Sequence, residues 1–163
     1  MTNRRPNHRP NHPLGLLLLL ALAACGGPPP VPPTLVAATA TASPDANAAA
    51  GSGAGAPVSL RIYQLVSPAA FEAAQFFSLF NNDAAALKDD LVKRDDLLLA
   101  PGQSKSLALA PADRVTAIAV FAAYRDYENV AWRAVVTVPP HLSSTLTVTA
   151  GKAGVTASIE PRK

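Results

Sequence analysis

The chain has 163 residues, 14 Lys and Arg against 11 Asp and Glu, and a single cysteine. That length suits one folded domain. Arg4, Arg5 and Arg9 account for the whole excess of positive charge, so the pI near 9.3 does not indicate a basic surface for nucleic acid. One cysteine also excludes an intrachain disulfide and a cysteine-based metal cage.

Residues 1–24 are predicted to be a secretory signal segment. Basic residues precede an apolar run at 14–24, and that run is about 17 Å long as a helix, shorter than the roughly 30 Å core of a bilayer. The run ends in Leu22-Ala-Ala-Cys25, which resembles a bacterial lipobox. We therefore expect Cys25 to carry a covalent lipid and to begin the mature chain. Gly26 follows, and the absence of an aspartate there favours the outer membrane in bacterial lipoproteins generally.

Residues 25–56 are predicted to form the lipidated cysteine and a disordered tether. From residue 26 to 56 the chain has one charge, Asp45, no aromatic residue and a proline-rich run at 28–33. This composition buries too little apolar surface to offset the entropy of ordering. The tether is then a spacer with a reach on the order of 30 Å.

Residues 57–160 are predicted to form a two-sheet antiparallel β-sandwich. Strands with one solvated face are indicated by apolar and polar alternation at 58–63, 132–138, 145–149 and 155–159. Residues 97–99 and 104–109 flank Ala100-Pro-Gly-Gln103, which suits a type II turn, and are expected to pair as a hairpin. Residues 115–123 are apolar on both faces, which predicts a central strand.

A short helical insert is predicted between the first of these strands and the hairpin. Ser67 and Pro68 are typical of a helix start, and Asn82-Asp83 can begin a second short helix that ends near Leu87. The aromatic run at 76–80 fits a short strand as well as a helix. Its side chains are interpreted as core.

The residues give no support for catalysis. His141 is the only histidine after the signal segment, and it lies in a predicted turn. We expect no enzyme activity, no cofactor, no metal and no small-molecule substrate. Residues 88–96 hold four carboxylates but also three cations, and they lack the EF-hand glycine and glutamate, so a solvated, self-neutralising surface is preferred. Residues 124–129 are interpreted either as a surface turn or as a functional loop.

Several motifs follow one another in order through nearly all of residues 57–160. They are Arg61-Ile-Tyr-Gln-Leu65, Phe76-Phe-Ser-Leu79, Leu91-Val-Lys-Arg-Asp95, Leu99-Ala-Pro-Gly102, Tyr124-Arg-Asp126, Ala131-Trp-Arg133 and Val138-Pro139. This succession resembles the type VI secretion outer-membrane lipoprotein family, also called TssJ, SciN or VasD. The long tether and the aromatic run at 76–80 depart from the family pattern.

The resemblance implies a transthyretin-like sandwich in the periplasm, anchored to the outer membrane through Cys25. It also implies binding to the periplasmic carboxy-terminal part of the inner-membrane subunit TssM, through the loop after the first strand. With residues 58–63 as that strand, the loop contains Val66, Ser67, Pro68, Ala69, Ala70 and Phe71. Charging Ala70 or Phe71 is then expected to weaken partner capture without changing the stability of the domain. The residues alone also allow an envelope lipoprotein whose sandwich binds a peptide or a sugar.

Overall fold

The computed structural model describes residue 2, residues 29–49 and residues 51–162. One compact unit spans Val31–Lys163. Apart from residue 2, the predicted signal segment at 1–24 lies outside the described residues, and so does Cys25. Among the helices of the described residues, none combines the length and the hydrophobicity of a membrane-spanning segment.

The compact unit is a sandwich of two four-stranded sheets. Its strands are β1 (Leu35–Ala42), β2 (Val58–Leu65), β3 (Leu91–Leu99), β4 (Ser104–Leu109), β5 (Ala117–Ala123), β6 (Arg133–Thr137), β7 (Ser143–Gly151) and β8 (Gly154–Pro161). The first sheet has the order β4-β1-β7-β8 and the second the order β3-β2-β5-β6. Neighbouring strands are antiparallel except for β1 and β7, which are parallel. The predicted β-sandwich is confirmed, and β5 is the central strand expected from residues 115–123.

Strand β1 lies inside the segment predicted to be a disordered tether, so that prediction is wrong for residues 35–42. Four of its side chains face the other sheet and are at most 2% exposed: Val36, Ala38, Ala40 and Ala42. The strand pairs with β4 on one side and β7 on the other. Its backbone groups are therefore satisfied, and its alanines are buried by larger neighbours although each contributes little apolar area.

The predicted hairpin between residues 97–99 and 104–109 is also wrong, because β3 and β4 belong to different sheets. The turn between them does form. The Gln103 amide donates to the Ala100 carbonyl at 2.9 Å and Gly102 has φ +76°, as a type II turn requires. The chain crosses from one sheet to the other at this turn, so β3 pairs with β2 while β4 pairs with β1.

The helical insert lies between β2 and β3, as predicted. It consists of α1 (Ala69–Ala73), α2 (Phe76–Leu87) and a 3₁₀ turn at Lys88–Asp90. The aromatic run at 76–80 is helical. Asn82 interrupts α2 with φ −154° and ψ 68°, and its side-chain oxygen accepts a hydrogen bond from the Ala85 amide at 3.3 Å. Asn82 thus begins a second helical segment, as the sequence indicated.

The insert covers the outer face of the second sheet and forms a second core there. The buried members of this core are Tyr63, Leu65, Phe71, Phe76, Leu79, Leu87, Ala119 and Phe121. The prediction of a solvated outer face is therefore wrong for the strand at 58–63. The aromatic side chains of the insert remove that face from water, so Tyr63 is fully buried there.

Candidate functional site

His141 contacts the segment that precedes β1. The His141 amide donates to the Thr34 hydroxyl at 2.8 Å, and its ring Nδ1 lies 3.2 Å from the Pro32 carbonyl oxygen. Ser144 is fully buried between the sheets. Within residues 29–49 and 51–162, no three His, Cys, Asp or Glu side chains are grouped so that they could hold a metal ion.

The six residues predicted to contact the partner follow β2, the second strand of the fold. Phe71 is fully buried, with its ring centroid 5.7 Å from that of Tyr63. Ala69 is exposed, and the other four are partly buried. The expectation that Phe71 can be charged without loss of stability is wrong, because its side chain belongs to the second core.

The loop after the observed first strand consists of residues 43–57. Asn47 forms two hydrogen bonds that hold this loop in position. Its side-chain amide donates to the Pro57 carbonyl at 2.8 Å, and its side-chain oxygen accepts from the Arg125 amide at 2.9 Å. Asn47 is only 6% exposed and has φ +53°, a conformation that asparagine tolerates better than most residues. The loop is therefore fixed to the connection between β5 and β6.

That connection, residues 124–131, is in turn fixed to the turn between β7 and β8. The buried Tyr124 hydroxyl donates to the Gly151 carbonyl at 2.9 Å. Burial, aided by the negative charge of Asp45, raises the pKa of Tyr124, so the hydroxyl remains protonated as a donor. The Ala131 carbonyl accepts from the Val155 amide at 2.7 Å. The described residues of 43–57, together with residues 124–131 and 151–154, thus form one continuous surface, here called the loop end.

An exposed group of aromatic side chains adjoins the loop end. Phe76 is 7% exposed, and its ring centroid lies 4.4 Å from that of Tyr127. Phe77 and Phe80 are on the solvent side of Phe76, and their side chains are 53% and 43% exposed. The Phe77 and Tyr127 rings meet edge to face at 5.1 Å. We call Phe77, Phe80 and Tyr127 the aromatic patch. The interpretation of the run as core is right for Phe76 and wrong for Phe77 and Phe80.

Two arginines on the outer face of the second sheet hold the insert in place. Arg61 donates to the Leu79 carbonyl at 2.7 Å and to the Phe80 carbonyl at 3.1 Å. Arg133 donates to the carbonyls of Phe71 and Ala74 at 3.2 and 3.0 Å. These carbonyls lie at helix ends, where cations and donors are favourable. The arginines thereby fix the position of the aromatic patch.

A buried carboxylate completes this attachment. Asp83 is 5% exposed and accepts hydrogen bonds from the Tyr63 hydroxyl at 2.8 Å and from Arg94 at 3.0 Å, with Arg61 at 3.3 Å. Burial alone would raise the pKa of Asp83, but the hydrogen bonds from Tyr63 and Arg94 and the two positive charges lower it overall. The sequence indicated Asp83 only as part of a helix start. A signal was available in Arg61 and Arg94, whose charges lie on neighbouring strands.

Comparisons with known proteins agree with this architecture. The family model for type VI secretion lipoproteins (VasD, EvfM, TssJ) matches residues 34–153. The solved structure of the type VI lipoprotein TssJ1 from Pseudomonas aeruginosa is 35% identical, with a TM-score of 0.74, over 81% of this chain and 98% of that one. Serratia marcescens Lip, described as a membrane-bound component of the type VI secretion system, is 29% identical with a TM-score of 0.68, over 79% and 97%. A chain from a type VI membrane complex, 22% identical with a TM-score of 0.62 over 79% and 98%, shares the fold. No curated protein sequence gives a significant match.

Proposed function

The chain belongs to the type VI secretion lipoprotein family, and from that premise we propose that it is a structural subunit of the type VI secretion membrane complex. In this proposal its lipidated Cys25 holds it on the periplasmic face of the outer membrane. The folded unit binds the periplasmic carboxy-terminal part of the inner-membrane subunit TssM. Its role is assembly, without catalysis or a cofactor.

The proposed contact surface is the loop end together with the aromatic patch. The resemblance points to the loop after the first strand, and β1 makes residues 43–57 that loop. Asn47 fixes the loop to residues 124–131 through hydrogen bonds at 2.8 and 2.9 Å. These bonds hold the two ends of the loop in place, which reduces the conformational freedom that is lost on binding. This arrangement is the observation that carries the proposal.

The aromatic patch extends the same surface. Phe77 and Phe80 are large, half-exposed side chains on a helix that Arg61 and Asp83 hold to the sheet. Aromatic side chains with fixed positions are enriched among the residues that dominate binding energy. The Phe77–Tyr127 contact joins the patch to residues 124–131, so one partner can cover both.

The contact predicted at Val66–Ala70 remains a second candidate for the same partner. Strand β2 begins after Pro57 and ends at Leu65, so the two loops lie at opposite ends of a strand roughly 23 Å long. Substitutions in one loop therefore should not disturb the other. This separation allows a direct experimental choice between them.

The test measures the affinity of the purified periplasmic part of the cognate TssM for four single variants. Ala54→Arg alters the 43–57 loop. Phe77→Ala alters the aromatic patch, and Ala69→Arg alters the loop after β2. Thr147→Arg, on the exposed face of β7, is the matched control. We expect losses of about tenfold or more for Ala54→Arg and Phe77→Ala only. A loss confined to Ala69→Arg would move the contact to the loop after β2, and unchanged affinity in all four would reject both surfaces.

The anchoring part of the proposal is tested separately with Cys25→Ser. The wild-type protein is expected in the outer-membrane fraction, and the variant is expected in the soluble periplasm with unchanged affinity for TssM. Wild-type and variant proteins found in the same fraction would contradict anchoring through Cys25 and leave the binding result intact.

A further inference from the structure

The end of the sandwich opposite the loop end carries a group of exposed apolar side chains. Six large hydrophobic side chains are exposed in the described part of the chain, and three of them are here: Val31 at 67%, Leu35 at 43% and Leu142 at 46%. The Leu35 amide donates to the Leu142 carbonyl at 3.2 Å, which brings the two segments together. We call residues 31–35 and 139–143 the entry end, because the chain enters the compact unit there.

The direction in which the chain leaves the entry end is fixed. Thr34 is buried, and its hydroxyl accepts a hydrogen bond from the His141 amide at 2.8 Å. Pro32 and Pro33 precede it and restrict the backbone torsions of the segment. Strand β1 therefore starts at a defined place beside residues 139–143. The entry end and the loop end are separated by the length of β1, roughly 23 Å.

The distance to the lipid anchor is short. Only six Cα–Cα steps separate Cys25 from Val31, so these two residues are at most about 23 Å apart however the intervening chain runs. The long flexible tether expected from composition would have allowed the domain to present any side to the membrane. The observed start of β1 removes most of that freedom.

We propose that the entry end rests on the membrane leaflet that holds the anchor, with Val31, Leu35 and Leu142 at the boundary between headgroups and acyl chains. This inference rests on the proposed lipidation of Cys25. Apolar side chains in that position add to the hold that the lipid chains provide. The loop end then points away from the membrane, toward the periplasm.

The charged side chains near the entry end have both signs, because Glu160 is exposed two residues before Arg162 and pairs in register with Thr145. Arg162 is exposed beside the entry end, with its amide donating to the Ser143 carbonyl at 2.7 Å. Its guanidinium group can meet lipid phosphates. Asp113 and Arg114 in the adjoining loop before β5 have opposite charges and balance each other. The loop end itself contains none of the six exposed large hydrophobic side chains of the described residues, and two of them, Phe77 and Phe80, lie beside it in the aromatic patch.

The experiment uses the full-length lipidated protein in vesicles of phosphatidylethanolamine and phosphatidylglycerol. Because the native chain has one cysteine and the lipid occupies it, an introduced cysteine can be labelled alone. A fluorophore is placed at the entry end in Leu142→Cys and at the loop end in Ala54→Cys. Quenching by headgroup nitroxide lipids is expected to be about threefold or more stronger at position 142. Adding Val31→Ser and Leu35→Ser to the Leu142→Cys protein should lower its quenching toward the loop-end value.

The possible outcomes separate this inference from the proposed function. Failure of the wild-type protein to float with vesicles would overturn the anchor and, with it, the membrane contact. Flotation with equal quenching at the two positions would overturn the orientation alone. Shielding of position 142 only after the periplasmic part of TssM is added would make the entry end a protein interface and would also overturn the proposal. Melting curves of the exposed-site variants check that the fold is retained.

Discussion

Replacing Asp83 by Asn should test how the helical insert is attached to the sandwich. The substitution keeps the size of the side chain but removes the charge that faces Arg94 and Arg61 at 3.0 and 3.3 Å. Removing one partner of a buried ion pair costs about 3–5 kcal/mol. Arg94 and Arg61 remain 41% and 21% exposed, so water replaces part of the lost interaction. We therefore expect the free energy of unfolding to fall by about 2–3 kcal/mol at neutral pH.

The pH dependence gives this prediction a second test. The folded-state pKa of Asp83 is lowered: burial opposes the shift, and hydrogen bonds and positive charges outweigh it. A carboxyl whose pKa is lower when folded contributes stability above its unfolded pKa, roughly pH 4, and loses it as the pH falls through the folded pKa. The wild-type protein should therefore lose more stability than Asp83→Asn below pH of about 4, and the difference between the two should narrow there.

Urea unfolding followed by tryptophan fluorescence measures both effects. Trp132 is the single tryptophan, and its ring packs edge to face on Phe76 at 5.3 Å beside the second core. Asp89→Asn removes an exposed carboxylate and serves as the control, with an expected change within about 0.5 kcal/mol. A loss below about 1 kcal/mol for Asp83→Asn at neutral pH, or a difference that does not change in acid, would refute the assignment of Asp83 as the attachment point.

Three further predictions address the fold. Gly154 has φ +133°, and an added Cβ would collide with the Ala131 backbone oxygen. Gly154→Ala should therefore lower the free energy of unfolding, measured in urea, by about 2–4 kcal/mol. Gly151→Ala is the control and should lower it far less, because the nearest atom to its added Cβ is 3.6 Å away. A chain that begins at residue 43 lacks β1 and should show no cooperative melting by circular dichroism, whereas a chain that begins at residue 29 should melt as the full protein does. Phe71→Asp puts a charge in the second core and should lower the melting temperature together with partner capture; retained stability would place Phe71 outside the core.

The sequence predicted strands correctly where apolar residues alternate with polar or small ones. The segments at 58–63, 145–149 and 155–159 all correspond to strands. Strand β1 was missed because its inward positions after Val36 are alanines and its composition resembles that of a linker. Its burial comes from β4, β7 and the facing sheet. Those neighbours are distant in sequence, so no local composition reveals them.

Local patterns also failed to show which sheet each strand joins. Ala100–Gln103 has the residues of a type II turn and forms one, yet the same turn can close a hairpin or carry the chain between sheets. Here the Gly102 amide donates to the Ala42 carbonyl at 2.9 Å, which joins the turn to β1. The missed strand is therefore also the reason that the pairing of β4 was predicted incorrectly.

Some parts of the candidate site can be predicted from local sequence, and others depend on the tertiary structure. The prediction at Cys25 depends on a short contiguous pattern and needs no tertiary information. The predicted partner loop was counted from the first recognised strand. With β1 included, the loop after the first strand is residues 43–57 instead of Val66–Phe71. The exposed aromatic patch was hidden for another reason: Phe76 and Phe77 are adjacent and chemically identical, and only the docking of α2 decides which one is buried.

The position of β1 determines how far the proposed binding surface at the loop end can lie from the proposed membrane anchor. If Val31 lies within about 23 Å of the lipidated Cys25, the four steps to Leu35 add at most about 15 Å and β1 adds roughly another 23 Å. The end of β1, where the loop end starts, then lies no more than about 60 Å from the anchor. A flexible tether of thirty residues would have let this domain move outward to meet a distant partner. A chain this short would not allow that, so under both proposals the periplasmic part of TssM meets the domain close to the outer membrane. Binding at the loop end then leaves the entry end free for the lipid surface, and both contacts can form at once.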